Sequence, residues 1–155
     1  MTLDGIQPIL AQKYKRICRK GKHYSPMVNL VRYADDFIIT SAEKEVLERE
    51  IKPMLVEFLA ERGLELSEEK TVITHISDGF DFLGFNIRKF KGVLLTQPSK
   101  KCVKKFLDGI RYTIDSNKSC KQETLIRLLN PKITGWANYY RCGASSKTFQ
   151  RVDDQ

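Results

Sequence analysis

The sequence predicts an α+β fold, with short strands around one amphipathic helix followed by helices only. Three observations predict it. Apolar residues alternate with period two around residues 28–40 and again near 80–96. They return at three- and four-residue steps over residues 46–59. After Pro98-Ser99 only the helical period remains. The chain of 155 residues can hold one modest domain or two small ones packed together. The expected division is residues 1–98 and residues 99–155.

The elements follow in order. Leu3, Ile6, Ile9 and Leu10 make a short helical pattern that Pro8 breaks. Lys13 to Lys22 is basic and reads as a loop or arm. Val28, Leu30 and Arg32 point one way and Asn29, Val31 and Tyr33 the other, which is a strand. Phe37-Ile38-Ile39-Thr40 is a second apolar strand, so Ala34-Asp35-Asp36 forms the tip of a β-hairpin. Thr40-Ser41-Ala42-Glu43 has capping-box spacing. The amphipathic helix after it ends at Gly63, with a kink expected at Pro53. Lys70 to Ile76 and Phe80 to Lys89 read as strands, and Lys91-Gly92 turns the second into Val93 to Thr96.

Beyond Ser99, the residues Val103, Phe106, Leu107, Ile110 and Ile114 form one helical face. Ser119 to Gln122 is expected to cap the next helix, which Asn130-Pro131 interrupts. Ile133, Trp136, Ala137 and Tyr140 resume the stripe.

Charge is unevenly distributed. Residues 1–32 carry seven bases and one acid, residues 33–98 eight bases and thirteen acids, and residues 99–155 twelve bases and five acids. Two basic regions therefore flank an acidic middle, and a phosphate-rich partner is expected on the flanks. Much of the acid in residues 43–69 fits a solvated helix face. No apolar run approaches the roughly 20 residues of a membrane span, and Met1 to Leu10 has no signal pattern. A cytoplasmic protein is the expectation. The four cysteines, at 18, 102, 120 and 142, have no metal-site spacing. Cys18 with His23 comes nearest, and reduced thiols are expected throughout.

The residues with chemistry are Asp35 and Asp36. Two carboxylates at one hairpin tip repel each other, and a divalent cation relieves the repulsion. Mg²⁺ takes oxygen ligands and is bound through one or two carboxylates, with phosphates and water completing its shell. An adjacent Asp pair alone is equally a pair of ordinary turn acids.

The context makes it more specific. Val31-Arg32-Tyr33-Ala34-Asp35-Asp36-Phe37 resembles the metal-binding hairpin of the reverse transcriptases in the form found in group II intron proteins. Gly63-Leu64-Glu65-Leu66-Ser67-Glu68-Glu69-Lys70-Thr71 resembles the segment after the palm helix of that family. Phe80-Asp81-Phe82-Leu83-Gly84-Phe85 resembles its last palm motif. Leu129-Asn130-Pro131 and Gly135-Trp136-Ala137-Asn138-Tyr139-Tyr140-Arg141 resemble its thumb, or maturase, domain. These motifs occur in the family's order and cover essentially the whole chain.

The resemblance implies a partial palm in residues 1–98 and the start of the thumb in residues 99–155. It implies RNA-templated DNA synthesis by the parent protein, in which a primer 3′-hydroxyl attacks the α-phosphate of a dNTP and releases pyrophosphate. It also implies assistance to intron splicing. Asp35 is then a ligand of catalytic Mg²⁺, Asp36 supports the hairpin and the charge of the site, and Tyr33 and Ala34 lie near the primer terminus. Lys70 stands near the incoming triphosphate, or is a surface lysine beginning a strand. Leu83, Gly84 and Phe85 hold the primer strand, while Phe82 and Phe85 are equally candidates for the core. Lys100, Lys101, Lys104, Lys105, Arg127, Lys132 and Arg141 are the phosphate contacts, with Tyr139 exposed for RNA and Trp136 and Tyr140 in the core.

The implied partners are intron RNA, an RNA template, a DNA primer and dNTP, with no membrane. An exposed palm edge would pair two copies. The family also needs a palm aspartate and a fingers region upstream, yet only 32 residues precede Tyr33 and their sole acid is Asp4. The expectation is a piece of a longer protein that does not polymerise DNA alone. The alternatives are an RNA-binding maturase piece without polymerase activity, or an inactive truncated reading frame.

Overall fold

The computed structural model describes residues 5–14, 17–19, 22–24 and 26–154. It mixes helices with three separate antiparallel sheets among the described residues. The chain divides into two compact units, residues 1–73 and residues 74–155.

The first unit opens with α1 (Ile6–Lys13). Pro8 does not break it, because a proline in the first turn removes an N–H that has no helical acceptor anyway. The basic stretch read as a loop instead pairs its backbone as β1 (Ile17–Arg19) and β2 (Lys22–Tyr24). Cys18 stands opposite His23 in that ladder. Their side chains, and Asp4, lie outside the described residues.

β3 (Asn29–Tyr33) and β4 (Asp36–Thr40) form the expected hairpin. Val28, Leu30, Phe37 and Ile39 pack on the buried core of Ile6, Leu10, Val46, Ile51, Leu55, Phe58 and Leu59. Period-two alternation leaves Val31 and Tyr33 on the solvent face. The capping box does not form. The helix begins later, as α2 (Lys44–Val46), and Ser41 Oγ accepts the Glu43 N–H while donating to the Pro26 carbonyl.

Pro53 acts one turn earlier than expected. A π-helical segment, Leu47–Ile51, joins α2 to α3 (Lys52–Ala60) and places Pro53 in the first turn of the latter. The wider turn absorbs the hydrogen bond that a proline cannot make. At the far end, Gly63 takes φ +67°, and Leu64 N donates to Leu59 O at 3.0 Å while Gly63 N donates to Ala60 O at 3.0 Å. That is a Schellman cap, which glycine enters at no steric cost.

Residues 70–76 form no strand. Thr71 Oγ1 donates to the Ser67 carbonyl at 2.7 Å and Lys70 N to Ser67 O at 3.2 Å, so the segment opens as a turn. Local side-chain bonds of this kind compete with strand pairing.

In the second unit, β5 (Phe80–Phe82), β6 (Phe85–Phe90) and β7 (Val93–Pro98) form a meander. The single strand expected from Phe80 to Lys89 is therefore two, folded back at Leu83-Gly84. Both residues have positive φ, +49° and +81°, and Lys91-Gly92 repeats the pattern at +47° and +82°. These are the two-residue hairpin turns whose twist matches the strands.

Ser99 starts α4 (Lys100–Asp115) as expected, its hydroxyl accepting the Cys102 N–H. α5 (Gln122–Tyr140) starts without a side-chain cap and runs straight through Pro131. A proline there costs about 3 kcal/mol; directly after it Lys132 bonds Thr113 and Trp136 stacks on Phe106, which anchors that half of α5 to α4. The last element is α6 (Ser146–Asp153), whose Phe149 lies 5.4 Å from the Trp136 ring. No helix among the described residues is long and apolar enough to cross a membrane.

Candidate active site and nucleic-acid interface

The β3–β4 register pairs Tyr33 directly with Asp36, so the turn contains only Ala34 and Asp35. Ala34 has φ +51° and Asp35 does not have positive φ. Positive φ at the first turn residue alone is the II′ pattern, normally filled by glycine. The aspartates thus occupy different settings. Asp35 lies in the turn itself, while Asp36 is the first residue of β4 and shares the solvent face with Tyr33, which is 64% exposed.

All four residues, Tyr33 to Asp36, are exposed and stand together. Lys70 belongs to the same unit and is exposed in the turn after Ser67. The donor set suits a hard divalent ion, since two carboxylate oxygens are a usual protein contribution to a Mg²⁺ shell. Among the described residues no group of three or more His, Cys, Asp or Glu is placed to hold a metal. Asp35 and Asp36 fit such an ion as part of its ligand set.

In the second unit the Leu83-Gly84 turn is clamped by α5. Tyr139 Oη donates to the Leu83 carbonyl at 2.7 Å and Tyr140 Oη to the Gly84 carbonyl at 3.2 Å. Ser99 N donates to the same Gly84 carbonyl at 2.9 Å. The Phe85 ring stacks on Tyr139 at 5.3 Å and meets Tyr140 edge-on at 4.9 Å. A Cβ on Gly84 would lie 2.7 Å from Tyr140 Oη and 3.3 Å from Cys102 Sγ. Glycine is needed here both for its positive φ and for this approach.

Burial holds the Tyr140 phenol well above the usual tyrosine pKa, and the Cys102 thiol and Tyr139 add to the effect. Tyr140 is 5% exposed, in accord with the expected core role. Tyr139 is 51% exposed, yet its hydroxyl and ring are both engaged within the fold.

The basic residues divide by element. Lys100, Lys101, Lys104 and Lys105 are exposed along the first half of α4. Arg127 is exposed on α5, and Arg141 caps its end. Lys132 differs: its ammonium donates at 2.7 Å to Thr113 Oγ1, which donates at 2.8 Å to the Gly109 carbonyl. Thr113 is buried, whereas Ile114, expected on the apolar face, is 41% exposed. Trp136 stacks on Phe106 at 4.5 Å with an interplanar angle of 13°, and its Nε1 is buried with no hydrogen-bond partner among the described residues.

Two features were not visible in the sequence: the tyrosine clamp and the Lys132–Thr113–Gly109 chain, whereas the close approach at Gly84 is what a glycine there allows. The adjacent Tyr139-Tyr140 and the Leu-Gly dipeptide were the available signals. Neither shows which backbone it meets.

Comparison with known proteins decides the family. The family model for reverse transcriptase (RNA-dependent DNA polymerase) matches residues 5–87, more than half of the chain. The chain belongs to the reverse transcriptase family. The model for the maturase-specific domain of group II introns matches residues 103–155 of this reverse transcriptase chain. Among curated relatives, the group II intron-encoded protein LtrA of Lactococcus lactis subsp. cremoris is 40% identical over 84 residues, covering 54% of this chain and 14% of LtrA. Protein YkfC of Escherichia coli (strain K12) is 37% identical over 73 residues, covering 44% of this chain and 18% of YkfC. The chain spans less than a fifth of either relative's length in these matches. Its features are those of part of a group II intron reverse transcriptase and maturase.

Proposed function

We propose that this chain is the palm hairpin and thumb portion of an RNA-directed DNA polymerase that also assists the splicing of its intron RNA. The observation that carries the reading is the exposed Tyr33–Asp36 hairpin, with both carboxylates free of packing, in a chain whose family model spans it. In this reading residues 1–98 are inherited as palm and residues 99–155 as thumb, although the compact units divide between Ile73 and Thr74. The parent protein works in the cytoplasm on intron RNA, an RNA template, a DNA primer and dNTP.

Asp35 offers carboxylate oxygens to a divalent ion, Mg²⁺ in this reading, and Asp36 keeps the field of the turn negative. Bound divalent ions neutralise charge on the attacking and leaving oxygens of phosphoryl transfer. The Tyr33-Ala34 backbone positions the primer terminus, and Lys70 contributes positive charge near the triphosphate. Leu83, Gly84 and Phe85 hold the primer strand on a turn stiffened from behind by α5. Lys100, Lys101, Lys104, Lys105, Arg127, Lys132 and Arg141 contact RNA phosphates, with Tyr139 at the same surface. Copies pair through an exposed edge of the palm, such as that of the β3–β4 ladder; a monomeric sedimentation profile at high concentration removes that element.

The share of this function carried by the chain itself is RNA binding. The basic first half of α4 favours it. Charge reversal of Lys100 and Lys104 is expected to abolish salt-dependent binding to structured RNA. Unchanged affinity would reject the surface. Asp35→Asn is expected to remove the broadening of hairpin resonances by Mn²⁺. Primer extension by the isolated chain, lost in Asp35→Ala, would overturn the restriction to binding.

A further inference from the structure

Between α4 and α5 lies an open groove of about 350 Å³, within the second unit. That is at the small end of the roughly 300–1,000 Å³ of ligand sites. Phe106, Ile110 and Trp136 line it with apolar surface, and Gly109 leaves one wall without a side chain. Apart from its chain neighbours and the backbone of its own helix, no atom lies within 4 Å of a Cβ placed on Gly109, so the wall is open. Two cations, Lys105 and Lys132, join the lining with Cys102 and Tyr140, and none of its residues is acidic.

Lys132 is not a freely moving surface lysine. Its ammonium is tied to Thr113 Oγ1, and Thr113 is tied to the Gly109 carbonyl beside the groove. One donor is spent there and two remain. A flat apolar recess with a fixed cation at its edge matches a planar ring joined to a phosphate. We propose that the groove receives one unstacked nucleobase of an RNA strand, laid against Phe106, Ile110 and Trp136, with the adjoining phosphate on Lys105 and Lys132.

The assignment rests on the reading of this unit as an RNA-binding thumb, and adds a contact that depends on the base. Charge contacts on α4 hold any phosphate chain, including a duplex. The groove selects an unpaired base, because a paired base is unavailable for it. Such recognition of splayed bases by aromatic and apolar side chains is the usual way proteins read RNA sequence and single-strandedness. Base identity enters only weakly, since the lining offers surface rather than a set of hydrogen bonds.

The sole tryptophan of the full chain is Trp136, so its fluorescence reports on the groove. A short single-stranded oligoadenylate is expected to quench it. Duplex RNA and a matched abasic ribose-phosphate strand are expected to bind through charge without quenching. Gly109→Leu fills the open wall at a position where leucine favours the helix more than glycine does. That variant is expected to retain its circular dichroism and thermal midpoint, lose the quenching, and bind oligoadenylate about tenfold more weakly. Its binding to the abasic strand stays unchanged.

Equal quenching by the abasic strand overturns the proposal, as does undiminished quenching in Gly109→Leu. Quenching by a leucine-rich amphipathic peptide, without quenching by oligoadenylate, overturns it in favour of a protein-docking groove. Should charge reversal of Lys100 and Lys104 remove RNA binding while Gly109→Leu has no effect, the RNA-binding reading stands and the groove assignment falls. Failure of the chain to bind either strand rejects both.

Discussion

The Ala34-Asp35 turn and the Leu83-Gly84 turn are two-residue hairpin connections of different type in opposite surroundings. Each is a two-residue hairpin connection that places a non-glycine residue at positive φ. The first is bare: Tyr33, Ala34, Asp35 and Asp36 are all exposed. The second is held by two tyrosine hydroxyls, a backbone N–H and two aromatic contacts to Phe85. Strain in the bare turn is supported only by the strands beneath it, and its carboxylates face solvent where a ligand can reach them. Strain in the clamped turn is supported by packing from α5, which fixes its position at the cost of access. Turn geometry alone therefore says little about what a turn can do.

The largest effect should come from tightening the clamped turn. Gly84→Ala sets a methyl group 2.7 Å from Tyr140 Oη at a φ of +81°. The left-handed backbone and overpacking together should cost about 2–4 kcal/mol. Urea unfolding followed at Trp136 measures it, and an unmoved midpoint would show that the clamp yields without cost.

Loosening the same clamp should cost less. Tyr140→Phe removes one hydrogen bond to a carbonyl that keeps its Ser99 donor, for about 1 kcal/mol. It should also change the alkaline response. Burial raises the Tyr140 pKa in the folded chain, so its contribution is fully present below the ordinary tyrosine value of about 10 and fades as pH rises toward the raised folded value. Above about pH 10 the variant should lose stability less steeply than the parent chain. Parallel pH curves would mean that Tyr140 does not carry this linkage.

The bare turn should respond with the opposite sign. Ala34→Gly relieves a methyl-bearing residue at φ +51°, and should stabilise the first unit by up to about 1 kcal/mol in denaturation followed by circular dichroism. A loss of stability would mean that Ala34 makes a favourable contact there. Asp35→Asn should be the smallest, within about 0.5 kcal/mol, because the side chain is exposed and unpacked. A larger change would give that carboxylate a structural role.

The residues that were legible in the sequence are those whose pattern is local. Alternation from Val28 to Thr40 gave the hairpin and its solvent face, and the spacing of Val46, Ile51, Leu55, Phe58 and Leu59 gave the buried stripe. Ser99 was readable as a cap and Gly63 as a stop because each acts on backbone within a few residues. Three prolines act otherwise than expected: Pro8 lies in the first turn of α1, where it costs no helical bond, and Pro53 and Pro131 share another reason. Pro53 is absorbed by a π-helical segment, and Pro131 sits in a helix whose Lys132 and Trp136 meet α4, and neither remedy has a local signature.

The sequence by itself determined that two carboxylates sit at the tip of a hairpin, and that a basic helix follows strands turned at Lys91-Gly92. Alternation, helical period and turn chemistry are short-range properties of the chain, so they survive without knowledge of the fold. Only the tertiary structure decided that the Leu83-Gly84 turn is pinned by Tyr139 and Tyr140, 56 residues away, and that Lys132 is drawn to Thr113 from 19 residues away. Those contacts depend on which helix face meets which backbone, and the free energy that selects them comes from burial summed over the whole unit.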